Sequence, residues 1–447
     1  MKKIIRYLQD QAVKASDQKY SGAAYLSPST KEPQQRIRHH SPAQWKEAHP
    51  HAMHHQYRSD EPSTTAAERG LSTTTTVVDG GYGGRTSGEI MISRSITRHQ
   101  YGQDNILQSY DVYIPDHGQG PEAAVTTTDA MADDEGGEDG QRKEKEKYWV
   151  LFIHGGYFRD ANVCSTSFIP ALSKIALSSS TTAPTSSVSS SIAGYASINY
   201  RLSPHPNDPQ DPTTTSTYEL RDAKWPEHMH DVLAAIAHLQ HKHRFGNRYL
   251  LVGHSVGATM ALLATLSSDP SDSSSSSFAS SVVKIDPPLA VLGVSGIYDF
   301  PALHARFPSY VALTRNAKIA TTMDDVRASP ARYDLGRYET EWASNVPGGK
   351  VGVVLAHSRN DGLVDWGQVE IMNDVLTNST TTTTVSDGKD RAGKRQGHGG
   401  KGEGKAQVEV NVLEIYGQHS QIWRDGTELA RAIGEGVEMM KRLTPSH

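Results

Sequence analysis

A serine set between two glycines constrains this chain more than any other feature. Residues 253–257 read Gly-His-Ser-Val-Gly, with the apolar run Tyr-Leu-Leu-Val before them and the stretch 258–264, rich in Ala and Leu, after them. At a strand-to-helix junction this pattern is typical of a turn so tight that glycine is needed on both sides of the serine. Such a turn presents the hydroxyl at a helix N-terminus, whose dipole favours developing negative charge. We therefore interpret Ser255 as a nucleophile, and the alternative is an ordinary helix start capped by its serine.

A second glycine-rich turn lies upstream, where the apolar run 148–153 reads as a buried strand and is followed by His-Gly-Gly at 154–156. A serine hydrolase must stabilise the oxyanion of a tetrahedral intermediate, and each backbone N–H donor is worth roughly 3–4 kcal/mol of barrier. The glycine-rich loop can supply one donor, and Val256, the residue after the serine, can supply another. The alternative is a plain Gly-Gly turn that closes a strand.

The remaining members of a catalytic triad should follow the serine in chain order, each at the end of a strand. The apolar run 351–356 leads to Asp361, and the run 408–416 leads to His419. We predict that His419 takes the serine proton and that Asp361 fixes the histidine tautomer and stabilises the imidazolium.

Other residues compete for these roles. Asp365 also follows the strand that precedes Asp361, but it reads as a helix cap, and Asp299 follows an earlier strand. His357 precedes the acid in the chain, so we interpret it as a loop histidine.

Taken together, these motifs resemble kynurenine formamidases of the fungal type, α/β-hydrolases that remove formate from N-formyl-L-kynurenine in tryptophan breakdown. The resemblance rests on short blocks at 154–160, 200–204, 253–258, 293–299, 357–364 and 418–419.

The resemblance implies an α/β-hydrolase fold, with a mostly parallel central sheet flanked by helices. It also implies oxyanion donors at the amides of Gly156 and Tyr157. Phe158 stands where the family has tryptophan, which keeps an aromatic wall, loses the indole N–H and bears on substrate preference. Further candidates for the wall around the aryl group are Trp225 and Trp423.

Much of the chain has a composition that cannot bury enough apolar surface to offset the entropy of ordering. We expect residues 1–88 to be a disordered, low-complexity segment and residues 89–447 to form one catalytic domain. Disordered inserts are expected near 116–147, 178–194, 267–281 and 377–405.

The expected order of elements is an opening hairpin and then alternating strands and helices. The stretch 300–345 reads either as a lid over the site or as a helical connection packed on one face of the sheet. The other predicted elements are the hairpin strands 89–98 and 109–114, the strands 148–153, 195–200, 249–252, 289–294, 351–356 and 408–416, and the helices 168–177 and 225–243.

The expected partners are a small-molecule substrate, which the resemblance implies is N-formyl-L-kynurenine, and a second copy of the chain in a homodimer. Cys164 is the one cysteine, which excludes an intramolecular disulfide framework. The net charge of −5 favours no nucleic-acid partner, and no apolar run reaches the length of a membrane span. We expect a cytoplasmic protein, with a mitochondrial location as the alternative.

No cofactor and no metal is expected. The histidine-rich tract lacks the spacing of a zinc site, so we interpret it as solvated. Its members are His39, His40, His49, His51, His54 and His55.

Two other functions remain open at this point. One is a general carboxylesterase of the same fold that acts on small acyl esters. The other is a catalytically silent receptor, which predicts a degraded triad, whereas candidates for all three triad residues are present.

Overall fold

The computed structural model describes residues 95–115, 147–178, 190–266, 283–317, 319, 322–378 and 406–444. Strands of these residues form one sheet with the order β1-β2-β4-β3-β5-β6-β7-β8. Pairing is antiparallel from β1 to β2 and from β2 to β4, and parallel across the rest of the sheet. The strands are β1 Thr97–Gln100, β2 Ser109–Tyr113, β3 Tyr148–Ile153, β4 Ile192–Ile198, β5 Tyr249–His254, β6 Ala290–Val294, β7 Lys350–His357 and β8 Gln407–Glu414.

Helices connect the parallel strands. They are α1 Ile169–Ser178, α2 Glu227–His243, α3 Val256–Leu263, α4 Phe300–Arg306, α5 Tyr310–Asn316, α6 Thr322–Arg327, α7 Leu335–Arg337, α8 Gly367–Thr377, α9 His419–Asp425 and α10 Thr427–Leu443. Shorter 3₁₀ turns lie at Ser165–Phe168, Ala264–Leu266, Pro330–Arg332 and Ala343–Asn345, and a π turn lies at Tyr338–Trp342. None of the helices in the described ranges is long and apolar enough to cross a membrane.

The central strands explain the architecture. Every residue of β3, β5 and β6 is buried, and their side chains are mostly branched or aromatic. A strand buried on both faces belongs in a parallel sheet covered by helices on both sides. The amphipathic helix α10 supplies part of this cover, since it buries Leu429, Ile433, Val437 and Met440. The predicted α/β-hydrolase fold is confirmed.

Several predicted boundaries were wrong. The insert predicted at 178–194 overlaps structure at both ends, because Ser178 ends α1 and β4 begins at Ile192. Ile192 is buried and aligned with Tyr148 of β3, so pairing with the neighbouring strand extends β4 toward its N-terminus. Helix α2 starts after Pro226 rather than at 225.

Other predictions fall outside the described residues. These are the segment 1–88 with its histidine-rich tract, the first part of the strand 89–98, and most of the four inserts.

Candidate active site

The turn between β5 and α3 holds Ser255 in a strained backbone conformation, with φ 56° and ψ −124°. A Cβ atom on Gly253 would lie 2.2 Å from the carbonyl oxygen of Gly257, and one on Gly257 would lie 2.3 Å from the carbonyl oxygen of Ile153. Both glycines are therefore required by close backbone approach. The Ser255 side chain makes no capping hydrogen bond to α3, so the alternative of a capping serine is wrong.

Ser255 is only 4% exposed, so the turn directs its side chain into an enclosed environment rather than into open solvent. The loop after β3 lies directly against it. A Cβ atom on Gly155 would lie 2.9 Å from the Ser255 Cβ and 2.9 Å from Nδ1 of His254. The glycine-rich loop and the serine turn, far apart in the sequence, thus meet at the carboxyl edge of the sheet.

The backbone of the glycine-rich loop adopts an unusual conformation that orients the amides of Gly156 and Tyr157. Gly156, Tyr157 and Phe158 have φ values of 91°, 50° and 65°, all in the left-handed region. The Tyr200 hydroxyl hydrogen-bonds to the carbonyl oxygens of His154 (3.1 Å) and Gly155 (2.9 Å).

Because a trans peptide places N–H opposite C=O, the Gly156 amide points away from Tyr200. The Gly156 carbonyl accepts from the amides of Arg159 and Asp160, so the Tyr157 amide points away from those. Within the described ranges, no acceptor is bonded to the amides of Gly156, Tyr157 or Val256. Unused N–H groups beside a strained serine are what an oxyanion site requires.

The candidate acid and base form a close pair. His419 is the first residue of α9, and its Nδ1 lies 2.7 Å from Oδ2 of Asp361, in the loop after β7. Oδ1 of Asp361 accepts from the amides of Leu363 (2.9 Å) and Val364 (3.0 Å). Burial alone would raise the pKa of the Asp361 carboxyl, but His419 and the Val364 amide outweigh it and hold that pKa well below its usual range. The carboxylate is therefore ionised, and His419 donates from Nδ1.

His254 ties the serine turn to the base. Its Nε2 donates to the carbonyl oxygen of His419 over 3.1 Å, and the two ring centroids lie 4.7 Å apart. The structure records no hydrogen bond between the Ser255 hydroxyl and the His419 ring. Such bonds are often long before substrate binds and tighten in the complex.

Two histidines around the acid were missed or misread from the sequence. His254 had not been singled out, although it is the middle residue between Gly253 and Ser255 in the motif. The interpretation of His357 as a loop histidine is wrong, because it is the last residue of β7 and is buried, and its Nε2 donates to the Val364 carbonyl over 3.0 Å. It therefore supports the loop that carries Asp361.

The competing acids are engaged elsewhere. Asp299 caps α4 by accepting from the Ala302 amide at 2.8 Å, and it pairs with Arg332 at 2.7 Å. Asp365 pairs with Arg306 at 3.7 Å. The N-cap of α8 is Trp366 with no side-chain capping bond, so the predicted capping role of Asp365 is wrong.

The aromatic residues around the glycine-rich loop pack in different directions. Phe158 is fully buried and packs edge-on against Trp225, with the ring centroids 5.6 Å apart. Trp423 is partly buried and lies under the Arg424 guanidinium at 5.0 Å. Tyr157 points instead toward α4 and α5, with its ring centroid 6.0 Å from that of Tyr310.

The sequence allows two interpretations of the stretch 300–345, either a lid over the site or a helical connection packed on one face of the sheet. The Tyr310 hydroxyl donates to the Leu363 carbonyl over 3.0 Å, next to the acid. Its ring also contacts Tyr157 of the glycine-rich loop. Helix α5 therefore bridges the two loops that carry the candidate oxyanion and acid residues, which is the position expected of a lid.

Among the described residues, no group of three or more His, Cys, Asp or Glu side chains could hold a metal ion.

Buried neutral histidines predict a fold that weakens in acid. Burial lowers the pKa of His154 to about 4 and the pKa values of His228 and His254 to about 3. Between these values and the unfolded value of about 6.5, the unfolded chain binds more protons, so stability falls as pH falls. Each histidine costs about 1.4 kcal/mol per pH unit across that window. We expect a lower urea midpoint at pH 5 than at pH 7.5.

A matched variant sharpens this measurement. His228→Gln can keep a hydrogen bond to Ser203, now 3.0 Å from Nε2 of His228, without the titration. Its stability should fall less steeply with acid, by about 1.4 kcal/mol per pH unit. A wild-type stability that stays flat from pH 7.5 to 5 would contradict the interpretation.

Three known proteins similar to this chain have names that contain kynurenine formamidase. The kynurenine formamidase-like hydrolase fscH of Fusarium equiseti is 32% identical over 302 residues, covering 67% of this chain and 86% of that protein. The kynurenine formamidase avaC of Aspergillus versicolor is 34% identical over 157 residues, covering 35% and 46% respectively. The kynurenine formamidase of Meyerozyma guilliermondii is 27% identical over 232 residues, covering 51% and 70%.

Two further comparisons add little. No protein-family model matches the chain. Esterase B from Lactobacillus rhamnosis is 13% identical, with a TM-score of 0.45 over 78% of this chain and 85% of that one. A similarity at that level says nothing about function.

Proposed function

The chain belongs to the kynurenine formamidase family, and from that premise we propose that it cleaves N-formyl-L-kynurenine to L-kynurenine and formate. The observation that carries the proposal is the strained Ser255 turn, set against a loop whose amides are unused. The reaction is hydrolysis of a linear aryl amide, a step of tryptophan catabolism through the kynurenine pathway.

The proposed mechanism divides the work among Ser255, His419 and Asp361. The Ser255 oxygen attacks the formyl carbon while Nε2 of His419 accepts the hydroxyl proton. Asp361 keeps the proton on Nδ1 and stabilises the imidazolium, which its ionised state and its 2.7 Å contact with His419 support. The carbonyl oxygen becomes an oxyanion, and the amides of Gly156, Tyr157 and Val256 are the proposed donors to it.

Collapse of this intermediate breaks the C–N bond. His419 gives its proton to the leaving aryl amine, and the formyl group remains on Ser255 as an ester. Water, activated by His419, then attacks the ester and releases formate, which returns the serine hydroxyl. Each proton taken up is given back, so no other reactant is needed.

A formyl group suits the acyl side of this site. Its carbon carries only hydrogen, and the backbone of Gly155 lies so close to Ser255 that even a Cβ atom there would come within 2.9 Å of the serine Cβ. The partly buried Tyr157 ring adjoins the same loop. We infer from these contacts that the acyl side of the site is narrow.

We predict that activity falls as the acyl group grows. In a series of aryl amides carrying formyl, acetyl and butyryl groups, kcat/KM should drop at least roughly tenfold per step. The free-energy cost of the steric clash should exceed the roughly 1–3 kcal/mol of binding that a well-accommodated methylene contributes. Steady-state kinetics on the purified protein checks this.

Rates that are flat or that rise with acyl length would favour the general carboxylesterase instead. Turnover of a short-chain aryl ester, compared with N-formyl-L-kynurenine, separates the two functions directly. The silent receptor is disfavoured by the close pair of His419 and Asp361, since a receptor has no need of it.

A further inference from the structure

Arg159 lies directly after the glycine-rich loop, and its positive charge is not neutralised. The side chain is partly buried, and its Nη1 donates a long hydrogen bond of 3.4 Å to Oδ1 of Asn316, at the end of α5. No carboxylate in the described part of the chain forms an ion pair with it. The adjacent Asp160 carboxylate is turned toward Asn162, whose amide and side-chain nitrogen both donate to it at 2.9 Å.

Three other arginines in the described residues are paired with buried carboxylates. Arg98 pairs with Asp111, Arg201 with Asp231 and Arg315 with Asp325, at 2.7, 2.8 and 2.7 Å. Hydrogen bonds to these carboxylates raise the pKa of each of those arginines. Burial instead lowers the pKa of Arg159. The neighbouring Tyr157 and Asp160 offset this effect only in part, and no carboxylate in the described part of the chain is within ion-pair distance of the guanidinium.

Arg159 lies between the glycine-rich loop and α5. Its amide donates to the Gly156 carbonyl over 3.1 Å, which fixes its backbone against the loop proposed to hold the oxyanion. Its side chain reaches α5, as does the Tyr157 hydroxyl, which bonds to Oγ1 of Thr314 over 2.9 Å. The guanidinium thus lies between the oxyanion loop and the helix that bridges to the acid loop.

We propose that Arg159 binds the α-carboxylate of the substrate's amino-acid tail and so selects carboxylated aryl formamides over neutral ones. This inference rests on the proposed function, since it concerns the same site. The planar guanidinium can donate two parallel hydrogen bonds to a carboxylate, which gives orientation as well as attraction. The tail would then be held beside the oxyanion loop while the formyl group faces Ser255.

The test compares substrates that differ in the carboxylate. Wild type, Arg159→Gln and Arg159→Lys are assayed with N-formyl-L-kynurenine, with its decarboxylated analogue and with formanilide. Arg159→Gln should lower kcat/KM for the carboxylated substrate by roughly 10- to 100-fold, mainly through KM, and leave the two others unchanged. Arg159→Lys should recover part of the loss, because lysine keeps the charge but not the paired donors.

A matched control is Arg442→Gln. Arg442 pairs with Glu409 at 3.1 Å, near the start of β8 and so at the opposite edge of the sheet from His419. It should change no substrate by more than about twofold. Equal losses on all three substrates with Arg159→Gln would reveal a structural role and overturn the inference, as would no loss at all.

Binding of the product separates this inference from the proposed function. If wild type hydrolyses none of the three formamides, the proposed function fails. Calorimetry with L-kynurenine and its decarboxylated analogue still compares wild type with Arg159→Gln. Weaker binding of L-kynurenine alone supports carboxylate recognition, whereas equal affinities, or no binding to wild type, overturn it.

Discussion

Replacing Ser255 by alanine is expected to lower the rate of hydrolysis on the order of 10⁶-fold, the loss typical of a removed triad nucleophile. The fold should survive, because the hydroxyl makes no capping bond to α3 and the strained turn depends on Gly253 and Gly257 rather than on the serine side chain. Single-turnover kinetics measures the loss, and circular dichroism with thermal unfolding checks that the protein remains folded.

Ser295 provides the matched control. It directly follows the neighbouring strand β6, is fully buried, and has a left-handed φ of 48°, so it shares the setting of Ser255. Its hydroxyl has no partner in the described part of the chain, so Ser295→Ala should change both rate and stability little. Retention of more than a small fraction of the rate in Ser255→Ala would mean that the nucleophile is another residue.

The central strands and the serine turn could be predicted because their signals are local. A short unbroken apolar run such as 249–252, closed by a glycine, favours a buried strand before a tight turn over a helix, because of its length and its flanking glycine. The start of β4 could not be predicted in this way. It follows a Ser/Thr-rich run, and Gly194 reads as a strand breaker.

Tertiary packing explains that glycine. A Cβ atom on Gly194 would lie 2.6 Å from the Trp149 ring on the adjacent strand, so the residue is small because its neighbour is large. Nothing in the sequence around 194 records this contact. The overlap of the predicted insert with β4 has the same origin.

In the candidate site, too, some residues could be predicted from the sequence and others could not. Ser255, Asp361 and His419 could be nominated because each follows a strand in the order that the fold requires. The residues that surround and position these three could not be predicted in the same way. The sequence does not distinguish His254, His357 and Arg159 from other histidines and arginines, because their surroundings depend on contacts that form only in the folded chain.

Replacing Asp361 by asparagine is expected to cost roughly 10⁴ in kcat, as when a triad aspartate loses its charge. The amides of Leu363 and Val364 both donate to Oδ1, so the asparagine must place its carbonyl oxygen there. Its NH₂ group then occupies the position of Oδ2 and donates to Nδ1 of His419. The histidine is driven to the tautomer that carries its proton on Nε2, where it can no longer accept the proton of Ser255.

Nitrogen-15 NMR of the imidazole distinguishes this effect from a structural one, since it reports which ring nitrogen of His419 is protonated. The comparison variants are Asp365→Asn, which loses a pairing with Arg306, and Asp299→Asn, which weakens the cap of α4 and the pairing with Arg332. We expect both to retain most of kcat, and Asp299→Asn to lower the unfolding temperature. A larger loss of kcat at Asp299 than at Asp361, or an unchanged His419 tautomer in Asp361→Asn, would mean that the acid has been assigned to the wrong strand end.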